Sequence, residues 1–206
     1  MSRIDAVAKR TLDLALSGAG LLVSSPLWMV IAAAIRVDSR GPVFFVQWRV
    51  GRCGRRFKAL KFRSMTVDAE RTAGSVQVVE HDPRVTRVGR VLRATAMDEL
   101  PQLWNIFRGD MSVVGPRALR PDEPELGETT PTPLEDVPGF AERSSVRPGL
   151  TGLAQIYAPR DVRRRQKFRY DRLYIHRQSF ELDLRLIALS FWITARGTWE
   201  ARGRKY

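Results

Sequence analysis

The longest apolar stretch of the chain runs from Leu14 to Ile35, 22 residues without a charge. As a helix it would reach about 33 Å, enough to cross a hydrocarbon core of about 30 Å. Ser24-Ser25-Pro26 sits in its middle, where proline removes a backbone hydrogen bond. Lys9 and Arg10 precede the stretch, and Arg36, Arg40 and Arg49 follow it. Basic residues favour the cytoplasmic side of a membrane, so basic flanks at both ends point to one particular geometry. It is a helix broken at Ser25-Pro26 that enters and leaves the same leaflet. A single spanning anchor is the alternative on length alone. A cleaved signal peptide ending near Ala32-Ala33-Ala34 is another, although the stretch exceeds the usual h-region of roughly 7–15 residues.

Beyond this segment the pattern changes period. Residues 43–65 read as a β-hairpin: Val43 to Trp48 is rich in strand formers, Gly51-Arg52-Cys53-Gly54 is a turn, and Arg56 to Arg63 alternates. Lys61 and Arg63 then share one face. Residues 66–82 are polar, a loop or short helix, and a basic stretch runs from Arg84 to Arg93. Leu100, Leu103, Trp104 and Phe107 fall at helical spacing. If Asp98 caps that helix, Pro101 falls in its first turn, where a missing N–H is tolerated. Leu182 to Trp199 is again helical and apolar, either packed in the core or, with Trp192, Trp199 and the tail Arg202, Arg204 and Lys205, lying in a membrane interface. The pattern predicts a mixed α/β, mostly helical fold, with residues 1–40 as a re-entrant membrane hairpin and 41–206 as a compact cytosolic domain bearing a small β-hairpin and amphipathic interfacial helices.

Charge narrows the partners. Lysine and arginine outnumber acids 35 to 22 over 206 residues, a net +13, which points to polyanions such as anionic lipid, phosphorylated substrates or nucleic acid. The distribution is uneven. Residues 121–142 hold seven acids, five prolines and no basic residue, whereas Arg160, Arg163, Arg164, Arg165, Lys167, Arg169 and Arg172 face only Asp161 and Asp171. The single cysteine, Cys53, excludes an internal disulfide and fits a reducing compartment. With two histidines besides, a His/Cys zinc site is excluded.

The densest chemistry lies at Asp98-Glu99, between Arg93 and Arg117. An acidic pair at a helix start is ordinarily a cap. Between arginines it can instead meet a phosphate and its metal: one carboxylate attacks phosphorus to give an acyl phosphate, and its neighbour holds Mg²⁺ shared with substrate phosphates. Arginines would neutralise the transferred group.

The stretches Lys9-Arg10 with Asp13, Ser25-Pro26, Gly41-Pro42 to Gly51, Lys61-Phe-Arg63-Ser-Met65, Asp98 to Asn105, Gly109 to Arg117, Val146-Arg147-Pro148-Gly149 to Gln155, and Ser179 to Leu184 follow one another in a recognisable order. In them the chain resembles the bacterial sugar transferase family, the small monotopic polyprenyl-phosphate phosphoglycosyl transferases, over nearly its whole length. The resemblance implies that a nucleoside diphosphate sugar, usually a UDP-sugar, gives its phosphosugar to polyprenyl (undecaprenyl) phosphate and releases UMP at the cytoplasmic face of the inner membrane. It maps a nucleophile onto Asp98 and an assisting, Mg²⁺-associated carboxylate onto Glu99. It maps phosphate contacts onto Arg93 and Arg117, with Lys61, Arg63 and Arg147 as further basic candidates. It also supports a membrane break at Ser25 and Pro26. The expected partners are these two substrates and membrane lipids, with no nucleic acid and a homo-oligomer left open. A basic nucleic-acid-binding protein and a non-catalytic membrane-surface scaffold are the alternatives, separated from the enzyme by membrane partitioning and by UMP release.

Overall fold

In the computed structural model, residues 3–67, 69, 82–121, 132–159 and 162–196 are described. The N-terminal apolar stretch belongs to one helix, α1 (Arg3–Asp38), of 36 residues, about 54 Å long. The expected break at Ser25-Pro26 does not interrupt it. Pro26 brings no N–H to the Leu22 carbonyl, and the Ser25 hydroxyl donates to that oxygen instead, at 2.8 Å. Trp28 Nε1 donates to the Ser24 hydroxyl at 3.0 Å. Neighbouring hydroxyls of this kind are how a helix tolerates proline inside an apolar run. Asp13, Ser17, Ile31 and Ile35 are the buried positions of α1, and Leu22, Val23, Met29 and Val30 are exposed.

The hairpin forms as expected from strands β1 (Phe44–Val50) and β2 (Arg56–Phe62), antiparallel, with Phe44 opposite Phe62 and Gln47 opposite Ala59. Its turn uses left-handed backbone at Cys53 (φ 55°) and Gly54 (φ 74°). Alternation divides its side chains between two cores. Phe57 and Ala59 pack with Ile106, Met111 and Ala118. Phe62 packs with Ile31, Ile35 and Leu92, and Trp28 of α1 meets Phe44 and Phe62 edge-on at 6.0 and 5.4 Å between ring centroids.

Helix α2 (Arg87–Ala94) is capped by Thr86, whose hydroxyl accepts from Gly89 N at 3.0 Å. Helix α3 (Gln102–Arg108) is followed by strand β3 (Ser112–Val114), which pairs in parallel with β4 (Gly149–Thr151) after the single turn α4 (Phe140–Arg143). Helices α5 (Leu153–Tyr157), α6 (Arg164–Arg177) and α7 (Phe180–Ala195) complete the described chain. A third core joins Val114, Ile156, Tyr174, Leu186 and Ile193. The fold is mixed α/β and mostly helical. In helix α7 Leu186 and Ile193 are buried, as a packed helix requires, while Phe191 and Trp192 are exposed. Residues 68 and 70–81, most of the acidic run (122–131), Arg160 and Asp161, and Trp199, Arg202, Arg204 and Lys205 lie outside the described residues.

One sequence expectation needs correction here. Asp98 does not cap α3, which begins at Gln102 with Pro101 in the capping position; proline has no N–H to satisfy there. The apolar stripe at α3 is divided: Leu100 and Leu103 pack against the cores, whereas Trp104 and Phe107 do not. Gln102, Asn105 and Ile106 are buried, while Trp104 and Phe107 remain partly exposed. The stripe lies against α1 where Gly18 and Gly20 leave room for Phe107 and Leu103.

Polar contacts fasten α1 to this body on both sides of Pro26. Lys9 Nζ donates to Asp183 at 2.6 Å and to the Val114 carbonyl at 2.8 Å. Asp13 accepts from Val113 N at 2.8 Å and from the Ser112 hydroxyl at 3.0 Å. Arg10 donates to the Ile106 and Phe107 carbonyls at 2.8 and 2.9 Å, serving the last turn of α3. At the far end Asp38 accepts from Val88 N at 2.9 Å.

Candidate active site

The chain leaves α2 at Ala94 and reverses at Ala96, whose φ of 56° is left-handed. A 3₁₀ turn, Met97–Glu99, follows and carries both acids of the pair. Both side chains are half-buried. Lys61, on β2, forms an ion pair with Glu99. Asn105 makes that meeting possible. It is 1% exposed, and its amide donates to the Lys58 carbonyl at 2.8 Å and accepts from Leu60 N at 3.0 Å. It thus acts as a third strand along β2 and sets the residue before Lys61 against α3. Arg49, one face with Lys61 by register, donates to the Ala118 carbonyl at 2.8 Å and to the Gln47 side chain.

Arg117 enters from the other side. A Cβ on Gly115 would run into the Arg147 carbonyl, and one on Gly149 into Gly115 N. Bare glycine therefore lets β3 and β4 close up, and the chain emerges at Arg117 with an exposed side chain. Its carbonyl accepts from Arg143, which is itself buried in an ion pair with Asp171 at 2.7 Å.

The two acids respond differently to this setting. For Asp98, burial pushes the carboxyl up to about 6, and the charge on Glu99 adds to this against the pull of Lys61 and Arg93. Glu99 is also penalised by burial, but Lys61, Arg117 and Arg49 together outweigh that and hold it well below the usual carboxylate range. Lys61 supplies the hydrogen bond as well as the charge. The result is one acid fixed as an anion and a neighbour with heightened proton affinity. A carboxylate of that second kind is the more basic, hence the stronger, attacking group.

The structure gathers Lys61, Arg93, Asp98, Glu99 and Arg117 into one electrostatic cluster. Arg63 is not in it. It is 5% exposed and donates to the Ser39 and Arg40 carbonyls at 2.7 and 3.0 Å, capping the C-terminus of α1. The shared-face expectation for Lys61 and Arg63 fails because β2 ends at Phe62. Arg147 likewise serves structure, donating to the Gly109 carbonyl at 2.9 Å beside Arg10. Two contributors escaped the sequence reading. Arg49 was legible from strand register. Asn105 had a fainter signal, an amide beside the fully buried Ile106.

Among the described residues no group of three or more His, Cys, Asp and Glu side chains could hold a metal. Two adjacent carboxylates, one of them kept ionised, nevertheless fit Mg²⁺, which commonly takes one or two carboxylates and completes its shell with substrate phosphates and water.

The half-buried acid pair thus stands among cations on a body fastened to a long apolar helix. The chain belongs to the bacterial sugar transferase family, which matches residues 4–197. It is 40% identical over 191 residues to the exopolysaccharide production protein PSS of Rhizobium leguminosarum bv. phaseoli, covering 89% of this chain and 93% of that one. It is 39% identical over 198 residues to the exopolysaccharide production protein ExoY of Rhizobium meliloti (strain 1021), covering 89% and 84%. Identity is 40% over 195 residues to the UDP-glucose:undecaprenyl-phosphate glucose-1-phosphate transferase of Klebsiella pneumoniae, covering 92% of this chain but 40% of that longer protein.

Proposed function

We propose that this chain transfers a sugar 1-phosphate from a nucleoside diphosphate sugar, in the first place a UDP-sugar, to polyprenyl (undecaprenyl) phosphate at the cytoplasmic face of the inner membrane. The observation that carries the reading is the asymmetry of the acid pair, an ionised Glu99 beside an Asp98 of raised proton affinity. The substrates named for the Klebsiella relative support the choice of donor and acceptor.

In the first half-reaction an Asp98 carboxylate oxygen attacks the phosphorus bonded to the sugar. The bridging P–O bond of the diphosphate breaks, and UMP leaves with the bridging oxygen. Arg117 and Arg93 offset the charge on the transferred group. In the second half-reaction an oxygen of polyprenyl phosphate attacks the same phosphorus, and Asp98 departs as carboxylate. Mg²⁺, held by Glu99 with Asp98, would neutralise the diphosphate when bound. Lys61 keeps Glu99 in its anionic form, and Asn105 and Arg49 hold the strand faces that frame the pair.

The membrane arrangement belongs to the same reading. Helix α1 is tied to one body both before Pro26, through Lys9, Arg10 and Asp13, and after it, through Trp28 and Asp38. The exposed Leu22, Val23, Met29 and Val30 lie between. Fastening to one body before and after Pro26 is what supports both ends lying on the cytoplasmic side, with α1 dipping into a single leaflet as a continuous helix rather than as one broken at Ser25-Pro26. In a Cys53→Ser background, cysteines at Ile4 and Arg40 should both resist labelling from outside intact cells; labelling of one alone would mean a spanning helix. For the chemistry, the purified chain and a panel of UDP-sugars are assayed for UMP. Release without polyprenyl phosphate, with a phosphosugar adduct on Asp98 by mass spectrometry, is the expected result. A strict requirement for both substrates before any UMP appears would overturn the two-step scheme.

A further inference from the structure

The basic stretch around residues 163–172 takes no part in the reaction above, and α6 holds it in an arrangement that electrostatics disfavours. Arg165, Arg169 and Arg172 are exposed and fall four and three residues apart, on one stripe of the helix. Like charges at that spacing repel. Arg163 occupies the N-cap, Arg164 and Arg165 open the first turn, and that turn contains no acid; the positive end of a helix dipole favours anions instead. Relief within the chain is partial. Asp171 is engaged with Arg143 in the interior. Arg172 pairs with Glu142 at 2.6 Å. Among the described residues the side chains of Arg165 and Arg169 make no hydrogen bond or ion pair.

These guanidinium groups also border a cavity. A space of about 200 Å³ is lined by Pro138, Gly139, Arg165, Phe168, Arg169 and Arg172, with no acid in its wall among the described residues. Arg169 is shared with a neighbouring cavity of about 390 Å³, whose wall includes Val162, Tyr170 and Leu173. A charged recess thus opens beside a largely apolar one, joined at a single arginine.

We propose that this pair of cavities is a second anion site, which takes a phosphate group on Arg165, Arg169 and Arg172 and a less polar portion of the same molecule beside Tyr170 and Leu173. The ligand class is a phosphate ester of net negative charge, carried either by an anionic phospholipid headgroup or by a soluble compound, so that zwitterionic phosphatidylcholine is excluded. Bidentate guanidinium–phosphate contacts suit this donor set. The site does not depend on the reaction assigned to Asp98, which is tested separately by UMP release.

The test uses the full chain in neutral-detergent micelles at constant ionic strength, with the thermal unfolding midpoint as readout. A ligand that binds the folded state raises that midpoint. Inorganic phosphate is added in one arm, phosphatidylglycerol in a second, and phosphatidylcholine as the neutral lipid control. The wild type should respond to phosphatidylglycerol and not to phosphatidylcholine, and the Arg165→Gln/Arg169→Gln variant should lose most of that rise. A matching response to inorganic phosphate identifies a site open to soluble phosphates, whereas a response to phosphatidylglycerol alone identifies a lipid headgroup site. Any phosphate response retained by the variant belongs to the Arg93 and Arg117 side. Arg169→Glu provides the independent check: by pairing with Arg165 and Arg172 it should raise the midpoint in phosphate-free buffer while abolishing the response. Identical responses of wild type and double variant, or a wild type indifferent to both inorganic phosphate and phosphatidylglycerol, would overturn the proposal.

Discussion

Two groups of acids in this chain have opposite surroundings. Asp13 and Asp183 are 2% and 1% exposed, and each is met by dedicated donors: Val113 N and Ser112 for the first, Lys9 and the Tyr174 hydroxyl, at 2.7 Å, for the second. Asp98 and Glu99 are adjacent, half-buried and unequally served. Lys61 satisfies Glu99, whereas among the described residues no other side chain donates a hydrogen bond to Asp98. The buried acids join α1 to the body, so their charge is committed to structure. Asp98 sits in a positive field with an uncommitted oxygen, which is the condition for chemistry. Exposure and donor supply together separate the two groups: the joining acids are sealed and fully served, whereas Asp98 is half-buried and lacks a side-chain donor among the described residues.

Removing the charge of Asp98, or the partner of the buried Asp183, should move stability in opposite directions. Asp98→Asn should lower turnover at least ~10³-fold, as removal of a nucleophile does, while raising the thermal midpoint at pH 7.5. The sign follows from linkage. The folded state holds the Asp98 proton up to about 6 against an ordinary 3.8, so stability declines as pH rises between those values and stays lowered above them. The stability gain in the variant should accordingly vanish below about pH 4. Lys9→Met should do the reverse, costing about 3 kcal/mol of stability because Asp183 is left charged in the interior, readable as a lower denaturation midpoint in detergent. Lys61→Met should reduce turnover by roughly 10–100-fold, a loss of orientation and charge rather than of the attacking group, with a shifted acid limb in the pH profile. For the wild type that limb should fall below about pH 6 as Asp98 takes up its proton. The smallest effect is expected at Asn105→Ala, about 1–3 kcal/mol for two backbone groups left without their partner. Hydrogen exchange at Leu60 should quicken in that variant, while exchange in α7 should not.

How much of this was legible in advance depended on the range of the interaction. The hairpin, its turn and the apolar helices follow from periodicity and local turn chemistry, both written in neighbouring residues. The acid pair and Arg117 were legible as a motif. The role of Arg63 was not, because one residue past the end of β2 the alternation that placed it with Lys61 no longer applies. The start of α3 was misplaced for a related reason: a capping rule favoured Asp98, but the left-handed Ala96 turned the chain into a 3₁₀ turn first. Pro26 was read as a break since the rule for proline counts the lost N–H and not a serine that can substitute for it. Asn105 acts across 45 residues to reach Leu60, and no window along the chain displays that.

The fastening of α1 also has a history in time. Lys9 and Asp183 are 174 residues apart, and Asp13 waits 99 residues for Ser112. A ribosome adding roughly 5–20 residues per second takes about 10–35 s to supply Asp183 after Lys9. During that interval the apolar helix has left the exit tunnel without the groups that will receive its lysine and aspartate. The helix is therefore made well before the groups of its own body that receive it, and the contact it makes with α7 is among the late ones to form. A chain cut short before Asp183 would carry a membrane-seeking helix with an unpaired cation at its base, a form for quality-control proteases to remove.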